Sequence, residues 1–571
     1  MNQPLEVRYK WNEIPWRTLE ISVFKLQKRI YQASLNVDIK RVHQLQKLLL
    51  KSESARLLAV RRVTQENQGR KTAGVDGIAK LKPKERLHLA ENLKLGERSD
   101  PVRRVWIPKP GKTEKRGLGI PTIATRAEQT LVKMALEPEW EAKFEPNSYG
   151  FRPGRSCHDS CEAIHQTLRK KTAFILDADI SGCFDNIDQT VLLTKLKSTP
   201  TIRRIIKGWL KAGVIEGNVF QPTEKGTMQG GSISPLLANI ALHGMEHDTK
   251  QALSEELLQL RKKKISEASK VKPSKLTASK ERALMTLSII RYADDFVVIH
   301  EDKEIILKAK VFIKEWLKKI GLELNASKTR IVHTLNPMDE QKPGFNFLGF
   351  TVRQFPSNQS KKGCKTLIKP SKESQKQHAK AIREKLKSMR ATTQEEVIKQ
   401  LNPVINGWSR YFTPGVSSQV FNRLDSEMYY KLWRWAAYRH PKKGVKWIRR
   451  KYFRKHGNNT WRFKTHEGKL LARHLDHHIK RHVKVKDTRT PYDGDWVYWS
   501  TRMGKSPGIP PRRAKLLKIQ NGKCKQCQLW FNHNDKMEIH HIDKNHKNHR
   551  IENLGLLHLH CHDTIHKVKC A

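Results

Sequence analysis

Carboxylates are scarce in this sequence: 56 Asp and Glu stand against 111 Lys and Arg, a formal charge of +55. Such an excess repels itself in a compact fold unless a polyanion shares the surface, so it excludes a self-contained enzyme with a neutral exterior and points to nucleic acid. Long apolar runs are missing too. No stretch reaches the roughly eighteen consecutive apolar residues that cross a bilayer, and no lipid-anchoring amphipathic segment stands out, so no membrane partner is expected. The opening residues MNQPLEVRYKWNEIPW lack the charged-then-apolar order of a secretory signal, and the expected location is cytoplasmic. Cysteine is sparse and uneven. Cys157, Cys161, Cys183 and Cys364 are scattered, which suits reduced thiols rather than a disulfide framework, whereas Cys524, Cys527, Cys561 and Cys570 crowd the C-terminal end among histidines.

What is present divides the 571 residues into several units, with no internal repeat. Ile30, Leu35, Val37, Val42, Leu45, Leu48 and Leu49 recur at helical spacing near the N-terminus. VRRVWIPKPGKTEKRGLGIP (102–121) reads as two strands about a turn at Pro110-Gly111, and GFNFLGFTVR (344–353) as a second strand pair. Residues 249–286 are rich in Lys and Glu and predict a helical surface insertion. From about residue 371 the pattern turns helical, with Val397, Leu401, Ile405, Trp408 and Phe412 on one face. The predicted class is a multidomain α+β protein.

Two β-prone runs deliver acids. FILDADI (174–180) carries Asp177 and Asp179, and LSIIRYADDFVVIH (287–300) carries Asp294 and Asp295 between two apolar strands. A core strand does not interrupt itself with two charges unless something compensates them. Nucleotidyl transfer needs two divalent cations held about 4 Å apart, and hard cations such as Mg²⁺ take oxygen ligands. Carboxylates side by side on two strands meet that need.

YADD resembles the palm signature of reverse transcriptases, and the other strings follow in order. DADISGCFDNID resembles the first metal-binding palm motif, which implies Asp179 as a ligand beside Asp294 and Asp295, and Phe184 as the aromatic that excludes a 2′-hydroxyl. The implied substrates are deoxynucleoside triphosphates. KRGLGIP resembles a finger motif, with Lys115 and Arg116 toward the triphosphate. GTMQGGSISPLLANI resembles the motif beneath primer and template, with Gln229 near the nucleotide; Met228 replaces the usual proline and Ser232 a frequent valine. In GLELNASKTRIV, Lys328 becomes a phosphate contact. YGFRPGRS together with QGGSISPLLANI narrows the resemblance to proteins encoded in group II introns, from about residue 60 onward.

That resemblance implies a right-hand fingers and palm over 1–365 and a helical thumb and maturase region over 366–480 that binds intron RNA. Lys442, Lys443, Lys446, Arg449 and Arg450, interleaved with Trp433, Trp435, Tyr438 and Trp447, suit phosphates and unpaired bases, although most of these aromatics equally suit a core. Residues 481–510 are expected to form a basic DNA-binding region, and 511–571 a small nuclease unit. There Cys524-x2-Cys527 and His558-x2-Cys561 have the spacing of a structural zinc knuckle, with Cys570 and His560 as rival fourth ligands. The histidine-rich stretch between and beyond them resembles an HNH nuclease of ββα-metal type. It implies His541 as general base, His540, His562 and His566 as ligands of Mg²⁺ or Mn²⁺, and Asn553 as the loop brace. A purely structural zinc module for DNA docking remains the alternative. Taken together these features predict an RNA-directed DNA polymerase, splicing maturase and target-DNA endonuclease. A reverse transcriptase with another task, a polymerase-dead splicing factor and a homing nuclease are the competing readings.

Overall fold

The computed structural model describes residues 10–108, 114–169, 171–217, 219–269, 279–360, 363–457, 459–531 and 535–567. The turn at Pro110-Gly111, part of the 249–286 insertion and Cys570 lie outside these residues.

Three helices, Trp16–Leu35, Ile39–Lys51 and Glu53–Arg61, pack on the long helix Ile123–Glu141. Asp38 and Ser52 cap the second and third helices through their side chains. Ile30, Val42, Leu45 and Leu49 are buried as their spacing predicts, but Leu35, Val37 and Leu48 are 52 %, 76 % and 52 % exposed. The reason is local: Leu35 and Val37 stand at the junction after the first helix, where Val37 takes φ 57°, and Leu48 lies off the Val42, Leu45 and Leu49 face of the second.

The strands Val102–Pro108 and Lys115–Ile120 pair antiparallel as expected, and Val102–Pro108 also adds in parallel to Val214–Glu216. The central sheet has the order Ser288–Tyr292, Asp295–His300, Phe174–Asp179, Arg330–His333, all antiparallel. Successive side chains on a strand point to opposite faces, and here both faces are covered. Leu176, Ile289, Phe296 and Val298 enter one apolar core, while Ile175, Ile290, Val297 and Ile299 enter another. That double burial explains why these runs read as continuous apolar stretches.

A second sheet, Phe345–Phe347 with Phe350–Pro356 and Cys364–Pro370, leads to the helices Lys372–Ser388, Gln394–Phe412 and Ser418–Arg439. Val397, Leu401, Ile405 and Phe412 are buried there, and Trp435 joins the helical core with its indole donating to the Met389 carbonyl at 2.8 Å. The described part of the insertion is helical, Ser254–Ser269 and Lys280–Leu284, and is anchored through Leu253 and Leu257.

Residues 481–510 form a strap across the polypeptide that precedes the central sheet. Asp159 is fully buried and accepts from His482 Nε2 at 3.1 Å, from the Val485 backbone at 2.7 Å and from Arg502. Arg155 reaches back to the Asp487 carbonyl at 2.7 Å, and Tyr492 donates to Glu137 at 2.7 Å. The C-terminal unit follows: helix Pro511–Ile519, strands Met537–His541 and Leu554–His558, and helix Leu559–Lys567. Among the described residues no helix is long and apolar enough to cross a membrane.

Candidate active site and metal centres

Register places the acids. Asp179, last in its strand, pairs directly with Asp295, first in the neighbouring one. Tyr292 pairs with Asp295 across a two-residue turn, so Ala293 and Asp294 form its tip. Ala293 takes φ 59° there, a conformation in which glycine is usual for such hairpins. The turn thereby brings Asp294 beside the other two.

Electrostatics mark this cluster. Burial, reinforced by Asp294 and Asp179, pushes the Asp295 carboxyl up to about 7. Burial and Asp179 also raise Asp294, which Arg116 partly relieves. Acids crowded this way lower one another's affinity for negative charge, the repulsion that a divalent cation removes. The all-oxygen donor set fits Mg²⁺. Lys328 donates to Asp179 and is itself raised by that contact, so the residue expected on phosphate rests on a carboxylate. Asp177 is engaged elsewhere, accepting from Arg330 Nε at 3.0 Å.

Asp179 and Asp294 floor a cleft of about 1150 Å³ bordered by Lys115, Arg116, Phe184, Gln229 and Lys328. All five residues expected around the nucleotide therefore meet in one space. Gln229 donates to Asp185 at 2.9 Å, a partner the sequence did not single out. The loop that carries it lies flat on the strand Lys115–Ile120: Gly119 N–H donates to the Gln229 carbonyl at 2.7 Å, and a Cβ at Gly230 would stand 2.5 Å from the Gly119 oxygen. Glycine is required at that approach.

Beneath the turn, Arg291 is 3 % exposed and ties its own hairpin to two distant segments. It donates to Ser148 Oγ at 2.7 Å, Asn239 Oδ1 at 3.1 Å and the Ala293 carbonyl at 3.2 Å. Sequence reading passed over it because its side-chain partners, Ser148 and Asn239, are 143 and 52 positions away.

Lys442, Lys443, Lys446, Arg449 and Arg450 are all exposed on the helical unit. Arg449 lies 3.9 Å over the Trp461 ring, and Tyr438 is 62 % exposed. Trp435 is core, as one of the two readings allowed.

In the C-terminal unit, ligand atoms of Cys524, Cys527, His558 and Cys561 all lie within 4.8 Å of one another, as do those of His540, His562 and His566. The first set offers three sulfurs and one nitrogen, a donor set suited to Zn²⁺. His558 Nδ1 is 3.3 Å from Cys527 Sγ while its Nε2 is 3.2 Å from Asp535, which fixes the ring between thiols and carboxylate. Burial lowers His558, but Asp535 and the cysteines outweigh it and push the ring up to about 12. His560 is not among the four; its ring stacks on that of His558 at 5.1 Å. In the second set burial and the neighbouring rings lower His540 and His562, and His540 Nδ1 is buried without a hydrogen-bond partner among the described residues. A neutral nitrogen without a donor is what a cation takes up. Three imidazoles favour Mn²⁺ or a later transition ion over Mg²⁺.

His541 stands outside that trio, 3.2 Å from His549 Nδ1. Adjacent strand residues face opposite ways, which separates it from His540. Asn553 braces the intervening loop: its Nδ2 donates to Asp543 at 2.8 Å and to the Asn548 carbonyl at 2.9 Å, and its Oδ1 accepts from the Asp543 backbone at 2.9 Å.

Comparison with known proteins agrees with this geometry. Residues 107–352 match the family described as reverse transcriptase (RNA-dependent DNA polymerase), and residues 11–93 its N-terminal domain. Residues 375–453 match the group II intron maturase-specific domain. Protein YkfC of Escherichia coli (strain K12) is 32 % identical over 331 residues, 54 % of this chain and 82 % of that protein. The chain belongs to the group II intron family of reverse transcriptases and maturases. A further relative is group II intron-encoded protein LtrA of Lactococcus lactis subsp. cremoris, 33 % identical over 333 residues, 50 % of this chain. The aligned stretch spans 53 % of that relative's length. Maturase-like protein 1 of Euglena gracilis is 32 % identical over 246 residues, 41 % of this chain and 51 % of its own. The matched domains end at residue 453, so the Cys/His unit is read from its geometry.

Proposed function

We propose that this chain is an RNA-directed DNA polymerase that also assists splicing of a group II intron RNA and nicks one strand of a DNA target to prime its own synthesis. The observation that carries the reading is the register of Asp179 against Asp295, with Asp294 at the adjoining turn. On this reading the central sheet is the palm, the sheet containing Lys115–Ile120 belongs to the fingers and the helices from Lys372 onward are the thumb. Asp179, Asp294 and Asp295 would hold Mg²⁺, which when bound acidifies the primer 3′-hydroxyl and offsets charge on the leaving pyrophosphate. Lys115 and Arg116 draw in the triphosphate, and Arg116 holds its charge close to Asp294. Phe184 walls the sugar, and Gln229, steadied by Asp185, faces the nucleotide. The exposed cations of 442–450 follow RNA phosphates.

The C-terminal unit would be an HNH nuclease on a zinc-stapled base. Zinc would sit on Cys524, Cys527, His558 and Cys561, and a catalytic cation on His540, His562 and His566. His541 serves as general base toward water, held by the loop that Asn553 braces.

Primer extension on poly(rA)·oligo(dT) with dTTP and Mg²⁺ tests the polymerase. The wild type extends the primer and Asp294→Asn with Asp295→Asn falls by at least 10³-fold, roughly the scale of losing a metal site. Tight binding of structured RNA by a wild type that never extends would favour a maturase without polymerase.

A further inference from the structure

Phe151 carries a side chain that the account above does not use. It follows Tyr149-Gly150, whose backbone is fastened to the strand entering the carboxylate turn. Tyr149 N–H donates to the Arg291 carbonyl at 2.9 Å, and Arg291 N–H donates to the Asn147 carbonyl at 3.0 Å. The Gly150 carbonyl accepts from Asn239 Nδ2 at 2.8 Å. Gly150 approaches so closely that a Cβ there would stand 2.3 Å from the Ala293 nitrogen. The segment is thus mounted on the hairpin that presents Asp294 and Asp295.

From this mount Phe151 projects with φ 59°, a region that glycine enters freely and a bulky aromatic rarely adopts. Its ring is 48 % exposed, so core packing does not account for it. The ring borders the active cleft and meets Phe184 edge-on, with centroids 6.0 Å apart and planes at 80°. Phe184 itself sits in a helix of only four residues, Cys183–Asn186, entered through Gly182 at φ 51°. A wall on so short a support discriminates against one extra hydroxyl only if its ring cannot swing aside.

We propose that Phe151 is a positioning residue for nucleotide selection: its ring buttresses Phe184 and keeps that wall closed against the 2′-hydroxyl of ribonucleoside triphosphates. The inference rests on the polymerase reading. Edge-to-face contact restrains both rings, and an uncommon backbone conformation at a residue lining the cleft is the kind of strain that marks a functional position.

The test compares kcat/KM for dGTP and GTP on poly(rC)·oligo(dG) in the wild type, Phe151→Gly, Phe151→Tyr, Phe184→Ala and the Phe151→Gly/Phe184→Ala double variant. Glycine removes the ring while accepting the left-handed backbone, so the melting temperature of Phe151→Gly stays at or above that of the wild type. The expected result is a roughly tenfold rise in GTP relative to dGTP use, mainly through a lower KM for GTP. Phe151→Tyr restores the wild-type ratio, and the double variant is no more permissive than Phe184→Ala alone. Equal changes for dGTP and GTP would mean that the ring stacks on primer or template and would overturn the inference, as would additive effects of the two substitutions. A wild type that adds neither nucleotide removes the polymerase reading and this inference with it; a wild type and a Phe151→Gly variant that discriminate alike remove the inference alone.

Discussion

Arg291 shows how one side chain can hold the turn of the proposed active site in place from beneath. Its guanidinium is buried, and its hydrogen bonds go to a serine hydroxyl, an asparagine carbonyl oxygen and the backbone oxygen of Ala293. Truncation to Arg291→Met leaves those acceptors without a donor, each costing about 1–3 kcal/mol when buried. The expected loss of stability is about 3 kcal/mol by urea denaturation. Because the Ala293 carbonyl belongs to the turn that presents Asp294, kcat for dTTP addition falls more than tenfold while KM changes little. A stability loss with unchanged kcat would make Arg291 a packing residue only. At this scale the sequence revealed the acids and missed what supports them. Two charges inside an apolar run stand out in any reading, whereas Arg291 bonds Ser148 across 143 positions and Arg502 reaches Asp159 across 343. Pairings at that range have no local signature.

The elements divide in the same way. The strands around YADD and FILDADI were legible because both of their faces are buried. The clustering of Cys524, Cys527, His558 and Cys561 was legible because two short-spaced pairs of that kind suit one shared centre. Less legible were the N-terminal helices, where Val37 at φ 57° interrupts the helical pattern between Leu35 and Ile39. For the C-terminal unit the account predicts one zinc per chain by atomic absorption. Cys524→Ser loses it, and the apolar cluster around Leu516, Phe531 and Leu556 loosens with it, because so small a unit depends on its metal. Hydrogen exchange then rises over 511–567 while primer extension remains. Retention of zinc by that variant contradicts the assigned ligands.

At the scale of the whole molecule, the strap over 481–510 gives the basic C-terminal region a second task besides the expected contact with DNA. Asp159 is its anchor. Burial alone would raise this carboxyl, but His482 and Arg502 outweigh burial and hold it well below the ordinary range. A lowered folded-state value contributes stability above the unfolded pKa of about 4 and loses it as pH falls further. Asp159→Asn therefore destabilises the protein by about 3 kcal/mol at pH 7, and the difference from wild type narrows below pH 4. Hydrogen exchange over Val485–Arg502 reports the released strap. An Asp159→Asn effect that is independent of pH would assign the loss to packing.

The central claim is that Asp179, Asp294 and Asp295 hold the ions of nucleotidyl transfer. Electron paramagnetic resonance counts them, because Mn²⁺ loses its sharp six-line signal when bound. The sample is a complex with poly(rA), dideoxy-terminated oligo(dT) and dTTP, in a His540→Ala background that removes the C-terminal trio. The account predicts that this complex takes up two Mn²⁺ with higher affinity than dTTP alone, and that Asp294→Asn with Asp295→Asn returns uptake to the level of free dTTP. Equal uptake by the two proteins would contradict it.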